Sequence, residues 1–162
     1  HFDDDVIDLY EHSFSDIEKV PLENINRALG RGAVLTTYSD DGVFIGFTIS
    51  YIEEDRIFLV YIATESKMRG KGYGGQILHL IRERYPKHRI FLVLEPQDQS
   101  ASDYEMRVRR HGFYIRNGCV DTGVTLISDG YPFDSVFVQG RLTAEEMNRT
   151  IQDYEDIHNG RV

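Results

Sequence analysis

Between Ile57 and Tyr85 the chain reads I-F-L-V-Y-I-A-T-E-S-K-M-R-G-K-G-Y-G-G-Q-I-L-H-L-I-R-E-R-Y, and four of the six positions from 70 to 75 are glycine. The apolar, β-branched and aromatic run from Ile57 to Ala63 predicts a buried strand. Ile77, Leu80, Ile81 and Tyr85 recur at spacings of three and four, which predicts a helix that Pro86 stops. Glycine lets the backbone turn sharply and come close to a ligand, and the amides of a first helical turn have no internal acceptors. With the helix dipole behind them and Arg69 and Lys71 beside them, these amides make a site for a polyanion. An ordinary surface turn gives no reason for so many glycines in so few positions.

Three known phosphate loops compete for these residues. A P-loop needs Gly-Lys followed by Ser or Thr, but Gly72 follows Lys71. The dinucleotide pattern G-x-G-x-x-G matches at Gly70, Gly72 and Gly75, with Glu95 about twenty residues further on. That turn follows its strand at once, however, whereas the polar residues from Thr64 to Arg69 intervene here. A kinase glycine loop requires later H-R-D and D-F-G motifs, and the chain has neither.

The stretch Arg69-Gly70-Lys71-Gly72-Tyr73-Gly74 has the form R-x-x-G-x-G and resembles the signature of the GNAT family of N-acetyltransferases. The resemblance implies an α/β fold of mixed, mostly antiparallel sheet with a splayed parallel strand pair. It implies acetyl-coenzyme A as co-substrate and a primary amine as acceptor. Arg69, Gly70, Lys71, Gly72, Tyr73, Gly74 and Gly75 would grip the pyrophosphate, while Ile62, Ala63 and Thr64 would bind the pantetheine arm as an added strand would. The likeness extends over nearly the whole chain up to Gln139, with a tail helix over residues 143–159 outside the common core.

At 162 residues and 41% hydrophobic content the chain predicts one domain, 1–162, with a single sizeable core. The lone Cys119 excludes an internal disulfide and predicts a small buried apolar residue. No apolar run approaches the roughly twenty residues of a membrane span, and no signal peptide is legible. The expectation is a cytoplasmic protein without a membrane partner. The first residue is His1, so the start need not be the natural one. Net charge is −9, but it divides unevenly: −10 over residues 1–66, +6 over 67–116 and −5 over 117–162. Positive charge thus gathers around the glycine loop. Acidic ends disfavour nucleic acid as a partner.

In chain order, Asp3 to Phe14 predicts an amphipathic helix, and a second is expected from about Pro21 to Leu29. Ser15-Asp16-Ile17-Glu18 matches a capping box close before Pro21. In the resembled family these two helices overhang the acceptor pocket, so the loop between them would shape substrate choice. Ala33 to Tyr38, a turn at Asp41-Gly42, and Val43 to Ile52 predict a hairpin leading into the Ile57 strand, unlike the opening of a dinucleotide-binding domain. Arg89 to Leu94 should run parallel to Ile57–Ala63, because a helix joins them. Ser102-Asp103-Tyr104-Glu105 suggests a second capping box, for a helix carried through Arg116 to Asn117-Gly118. Val120 to Ile127 and Ser135 to Gln139 are expected as two strands around a turn at 129–132. A last helix is capped by Thr143-Ala144-Glu145-Glu146, with a stripe of Ala144, Met147, Ile151 and Tyr154 that suits core or a homodimer contact.

Family members commonly close the penultimate helix with F-Y-x-x-x-G, which Phe113-Tyr114-Ile115-Arg116-Asn117-Gly118 supplies. The resemblance makes Tyr114 the candidate general acid for the departing thiolate; otherwise it is a core tyrosine. Glu95, at the mouth of its strand, is the candidate base, or equally an anchor for the acceptor amine. Arg107 and Arg110 could reach the phosphates, or pair with Asp103 and Glu105 across a helical turn. Glu53 and Glu54 are weaker candidates. The six histidines are scattered without metal-ligand spacing and are expected mostly at the surface, so no metal is expected.

Overall fold

A computed structural model describes residues 2–162, leaving His1 outside. Two short helices, α1 (Asp4–Ser13) and α2 (Leu22–Ala28), precede the strands β1 (Ala33–Asp40), β2 (Val43–Ile52) and β3 (Arg56–Thr64). A 3-10 turn, Ser66–Met68, leads into α3 (Tyr73–Arg84), then β4 (Arg89–Leu94) and α4 (Tyr104–Arg116). The chain closes with β5 (Val120–Asp121), β6 (Leu126–Ser128), β7 (Tyr131–Gln139) and α5 (Ala144–His158). The sheet runs β1-β2-β3-β4-β7-β5, with β6 also on β7, and every pairing is antiparallel except β3 with β4. A dinucleotide-binding domain, with its parallel sheet opening on the glycine turn, is therefore not what forms.

Alternation along the strands sends apolar side chains to both faces. On one face, Phe47, Phe58, Phe91 and Tyr61 pack with Val6, Tyr10 and Ile25 from α1 and α2 and with Met147, Ile151 and Tyr154 from α5. On the other, Ile57, Leu59, Ile90 and Leu92 pack with Ile77, Leu78 and Ile81 of α3 and with Tyr114 and Cys119. The tail helix thus belongs to this chain's own core. Its buried stripe is Met147, Thr150, Ile151, Tyr154 and His158, while Ala144 is exposed.

Several local expectations need correction. The pair Ser15 and Glu18 does bond reciprocally, amide to side chain in both directions at 3.2 and 3.3 Å, but it closes a turn and no helix follows until Leu22. At the start of α4 no side chain caps the helix: the Asp103 carboxylate accepts instead from Arg107 Nε at 2.8 Å. The box at Thr143 forms as expected. The single strand expected from Val120 to Ile127 is broken, because Gly123 adopts φ +75° and Thr122 Oγ1 accepts from the Val124 amide at 3.0 Å, a local turn that competes with the ladder. The final hairpin turns on Asp129-Gly130 alone, both at positive φ, so β7 begins at Tyr131 and includes Pro132.

Two features of the sheet yield predictions. A Cβ at Gly46 would overlap the carbonyl oxygen of Ala63 on the neighbouring strand. Backbone cannot swing aside as a side-chain tip can, so Gly46→Ala should destabilise the fold by about 2 kcal/mol in denaturant titration. An unchanged midpoint would contradict the strand contact. Glu146, bonded by Arg89 at 2.9 Å and by the Thr143 amide at 2.9 Å, has its carboxyl held down to about 2. A carboxyl depressed on folding contributes stability above its unfolded pKa, and that contribution is lost as pH falls through the folded one. The gap in unfolding midpoint between the native chain and Glu146→Gln should stay constant above about pH 5 and close towards pH 2.

Candidate active site

The parallel pairing of β3 with β4 lasts for three residues, Arg56–Phe58 against Arg89–Phe91, and then stops. Beyond it β3 stays bonded to β2 as far as Thr64, and β4 to β7 as far as Leu94, so the two strands part while each keeps its outer partner. The cause is a bulge. Ile49 faces Tyr61 and Ser50 faces Leu59, which leaves Val60 extra. As a result Val60 and Tyr61 both turn to the α1–α5 face, where strict alternation would separate them. The notch opens at the carboxyl ends of both strands.

The main-chain groups along its β3 edge follow from the ladder. Glu65 donates its amide to Ile45 O at 2.8 Å, so alternation pairs Ala63 with Phe47. Ile62 and Thr64 therefore direct their amides and carbonyls into the notch. Of the three residues expected to bind an extended ligand by β-addition, these two offer free main-chain groups, and Ala63 lies between them with its own groups on β2.

The glycine turn stands at the same end. Gly70 and Gly72 both have φ +81°, a left-handed conformation that Gly adopts at least cost, and a Cβ on either would meet nothing. Gly72 is the N-cap of α3, no side chain caps the helix, and the first amide bonded inside it is that of Gln76, to Gly72 O at 3.1 Å. The amides of Tyr73, Gly74 and Gly75 thus point outward from the helix end. Gly74 and Gly75 have a further role in packing: a Cβ on Gly74 would stand 2.7 Å from the Phe113 ring, and one on Gly75 would overlap the Asn117 amide. These contacts seat the loop against the end of α4. Arg69 and Lys71 are exposed and, among the described residues, in no ion pair, so both charges remain available to an anion. Tyr73 Oη donates to Asp40 at 2.6 Å.

On the other side of the mouth lies a cluster of charge. Glu95 follows β4 directly and is buried, accepting from Arg107 Nη2 at 2.8 Å, with Arg110 Nη1 at 3.9 Å. Arg107 spends the rest of its guanidinium on Asp103 and on the carbonyl of Pro96. Arg110 also lies 3.7 Å from Glu18. Both arginines, considered above as phosphate ligands, thus face carboxylates, and Arg107 makes the expected alternative pair with Asp103. Burial pushes the Glu95 carboxyl up, Glu18 adds to the rise, and Arg107 opposes it. Tyr114 is buried beside Leu59, Leu92 and Leu94, and no described residue hydrogen-bonds its hydroxyl. Burial raises its pKa and the charge of Arg110 opposes that, so the phenol stays protonated and able to donate.

Sequence reasoning passed over Glu18 except as a capping residue. The loop that carries it is tied down across the bulge, since Tyr61 Oη donates to Glu18 O at 2.7 Å and Tyr10 Oη to Val20 O at 2.7 Å. His158, expected at the surface like most histidines, is 1% exposed. Glu53 bonds Arg56 and Thr150 at the closed end of the strand pair, away from the mouth. Among the described residues no group of three or more His, Cys, Asp or Glu could hold a metal ion, and no helix is long and apolar enough to cross a membrane.

The bulged sheet thus opens a notch beside an uncapped helix end. A family model described as the acetyltransferase (GNAT) family matches residues 3–113, and the chain belongs to that family. Among solved structures, a GNAT-family protein from Bacteroides thetaiotaomicron is 25% identical, with 96% of this chain and 86% of that one aligned at a TM-score of 0.70. An aminoglycoside 6'-N-acetyltransferase complexed with coenzyme A aligns at TM-score 0.64 and 15% identity, over 86% of this chain and 92% of that one. The ribosomal-protein-S18-alanine N-acetyltransferase from Escherichia coli aligns at 0.56 and 15%, over 83% and 86%. At such identities the last two attest the fold alone. No curated protein matches the chain by sequence.

Proposed function

We propose that the chain transfers an acetyl group from acetyl-coenzyme A to a primary amine by direct attack within a ternary complex. The observation that carries the reading is the parting of β3 from β4 at the end where the α3 amides are free. The pyrophosphate lies on the amides of Tyr73, Gly74 and Gly75 with Arg69 and Lys71 around it. The pantetheine arm continues along Ile62 and Thr64 as an added strand. This delivers the thioester to the notch.

The amine reaches the carbonyl carbon from the α1–α5 face. Its lone pair forms the new C–N bond, a main-chain amide of the open β3 edge steadies the oxyanion, and the C–S bond breaks with the electron pair leaving on sulfur. Tyr114 donates a proton or hydrogen bond to that thiolate. Glu95 anchors the acceptor ammonium and takes its proton, directly or through water, and the burial that pushes its carboxyl up makes it a stronger base than a free carboxylate. A thiol-release screen with acetyl-coenzyme A and a panel of primary amines tests the reading: release that depends on amine and enzyme is expected. Coenzyme binding without release from any amine would instead mark a silent coenzyme-binding member of the fold.

A further inference from the structure

On the α1–α5 side of the notch lies a cavity of about 40 Å³, whose lining includes Val60 and Val93, one from each parted strand. Phe58, Tyr61 and Phe133 form apolar walls, and the polar lining is Glu18, Ser128, Asp129, Tyr154 and His158. Such a space holds a group the size of a few waters, an ammonium with the first carbons of its stem. Three of its polar atoms are sealed from solvent with no hydrogen-bond partner: Tyr154 Oη and both ring nitrogens of His158. Buried groups of this kind are rarely left unsatisfied, so their presence together in one cavity wall calls for a ligand group.

The charges say of what kind. Asp129 Oδ1 stands 3.6 Å from His158 Nε2, too far for a hydrogen bond, yet near enough that the imidazole, aided by Asn159, holds the Asp129 carboxyl below its usual range. The Asp129 amide is fixed by Glu155 Oε1 at 2.7 Å, and the residue itself is at φ +47° on the two-residue turn into β7. An ammonium brings three donors and no acceptor, which matches the Asp129 carboxylate and the Tyr154 phenol oxygen. The Tyr154 ring, tilted 33° to that of His158 with centroids 4.7 Å apart, adds an aromatic face that favours a cation.

We infer that the acceptor is a small aliphatic diamine, with its reacting amine at the notch beside Val60 and Val93 and its second ammonium seated among Asp129, Tyr154 and His158. The inference rests on the acetyltransferase reading for the identity of the pocket, but not for its affinity. All three seat residues lie beyond the 3–113 segment that the family model matches, on the final hairpin and helix.

Calorimetry on the full chain saturated with coenzyme A provides the test, with 1,4-diaminobutane and butylamine as probes. The diamine is expected to bind at least about tenfold tighter, and Asp129→Asn to erase the difference while leaving coenzyme affinity unchanged. Tyr154→Phe, which removes one oxygen and keeps the ring, should weaken diamine binding about threefold or more even if substitutions of buried His158 fail to fold. Equal binding of the two probes, or a preference that survives Asp129→Asn, overturns the inference. So does Asp129-dependent binding of an aminoglycoside or a peptide amine without binding of the diamine. Diamine-selective binding without thiol release would uphold the subsite and refute the acetyltransferase reading; release with no preference for the diamine would do the reverse.

Discussion

Turnover of Tyr114→Phe is expected to fall about a hundredfold at saturating substrate, with coenzyme affinity changed less than about twofold. The hydroxyl is the only group removed, and no described residue hydrogen-bonds it, so the fold loses no internal bond. The ring continues to fill its place between Leu59, Leu92 and Leu94. What is lost is a donor held protonated by burial, which the proposed mechanism sets beside the departing thiolate. A core tyrosine without a chemical part would leave turnover untouched, and that result would remove Tyr114 from the mechanism. The unfolding midpoint, measured alongside, should stay close to that of the native chain and separate the two cases.

The second large effect is at the glycine turn. Gly72→Asp should weaken coenzyme binding about a hundredfold while costing about 1–2 kcal/mol of stability. Two causes act together. A residue with a Cβ is strained at φ +81°, and a carboxylate placed in the open space at the head of α3 competes for the amides and repels the pyrophosphate. Gly72→Ala carries the strain without the charge, so it should show a smaller loss of affinity and a similar loss of stability. Equal affinities for the two variants would mean that the anion sits elsewhere.

The glycine loop and the strand–helix–strand unit around it were legible because their signals are local. Four glycines in six positions, an apolar run and a 3.6-residue period all lie within one stretch of chain. The hairpin turn at Asp41-Gly42 was equally plain, since both residues adopt the positive φ that their types tolerate. The bulge that opens the notch was not. Val60 and Tyr61 are both apolar within a continuously buried strand, so their shared face leaves no break in pattern to read. The box at Ser102–Glu105 failed because the local rule takes no account of Arg107, a turn later, which claims the Asp103 carboxylate. Arg107 itself was hard to assign for the same reason: its partner Glu95 lies on another element.

The cavity beside the notch was the least legible part. Glu18, Asp129 and His158 converge on one cavity from a loop, a turn and the last residue of a helix, over 140 positions of sequence. Only tertiary packing joins them. The stripe of Met147, Ile151 and Tyr154 did predict burial, as found. Its continuation to His158, four residues past Tyr154, was missed because a histidine near the chain end has no apolar signature.

Amide hydrogen exchange measured residue by residue, with and without coenzyme A, addresses the central claim most directly. The account predicts slowed exchange at Ile62, Thr64, Tyr73, Gly74 and Gly75, whose amides face the notch or lie free at the head of α3, and little change at Ala63, already bonded to β2. Uniform protection, or none at these five amides under saturating coenzyme, would contradict it.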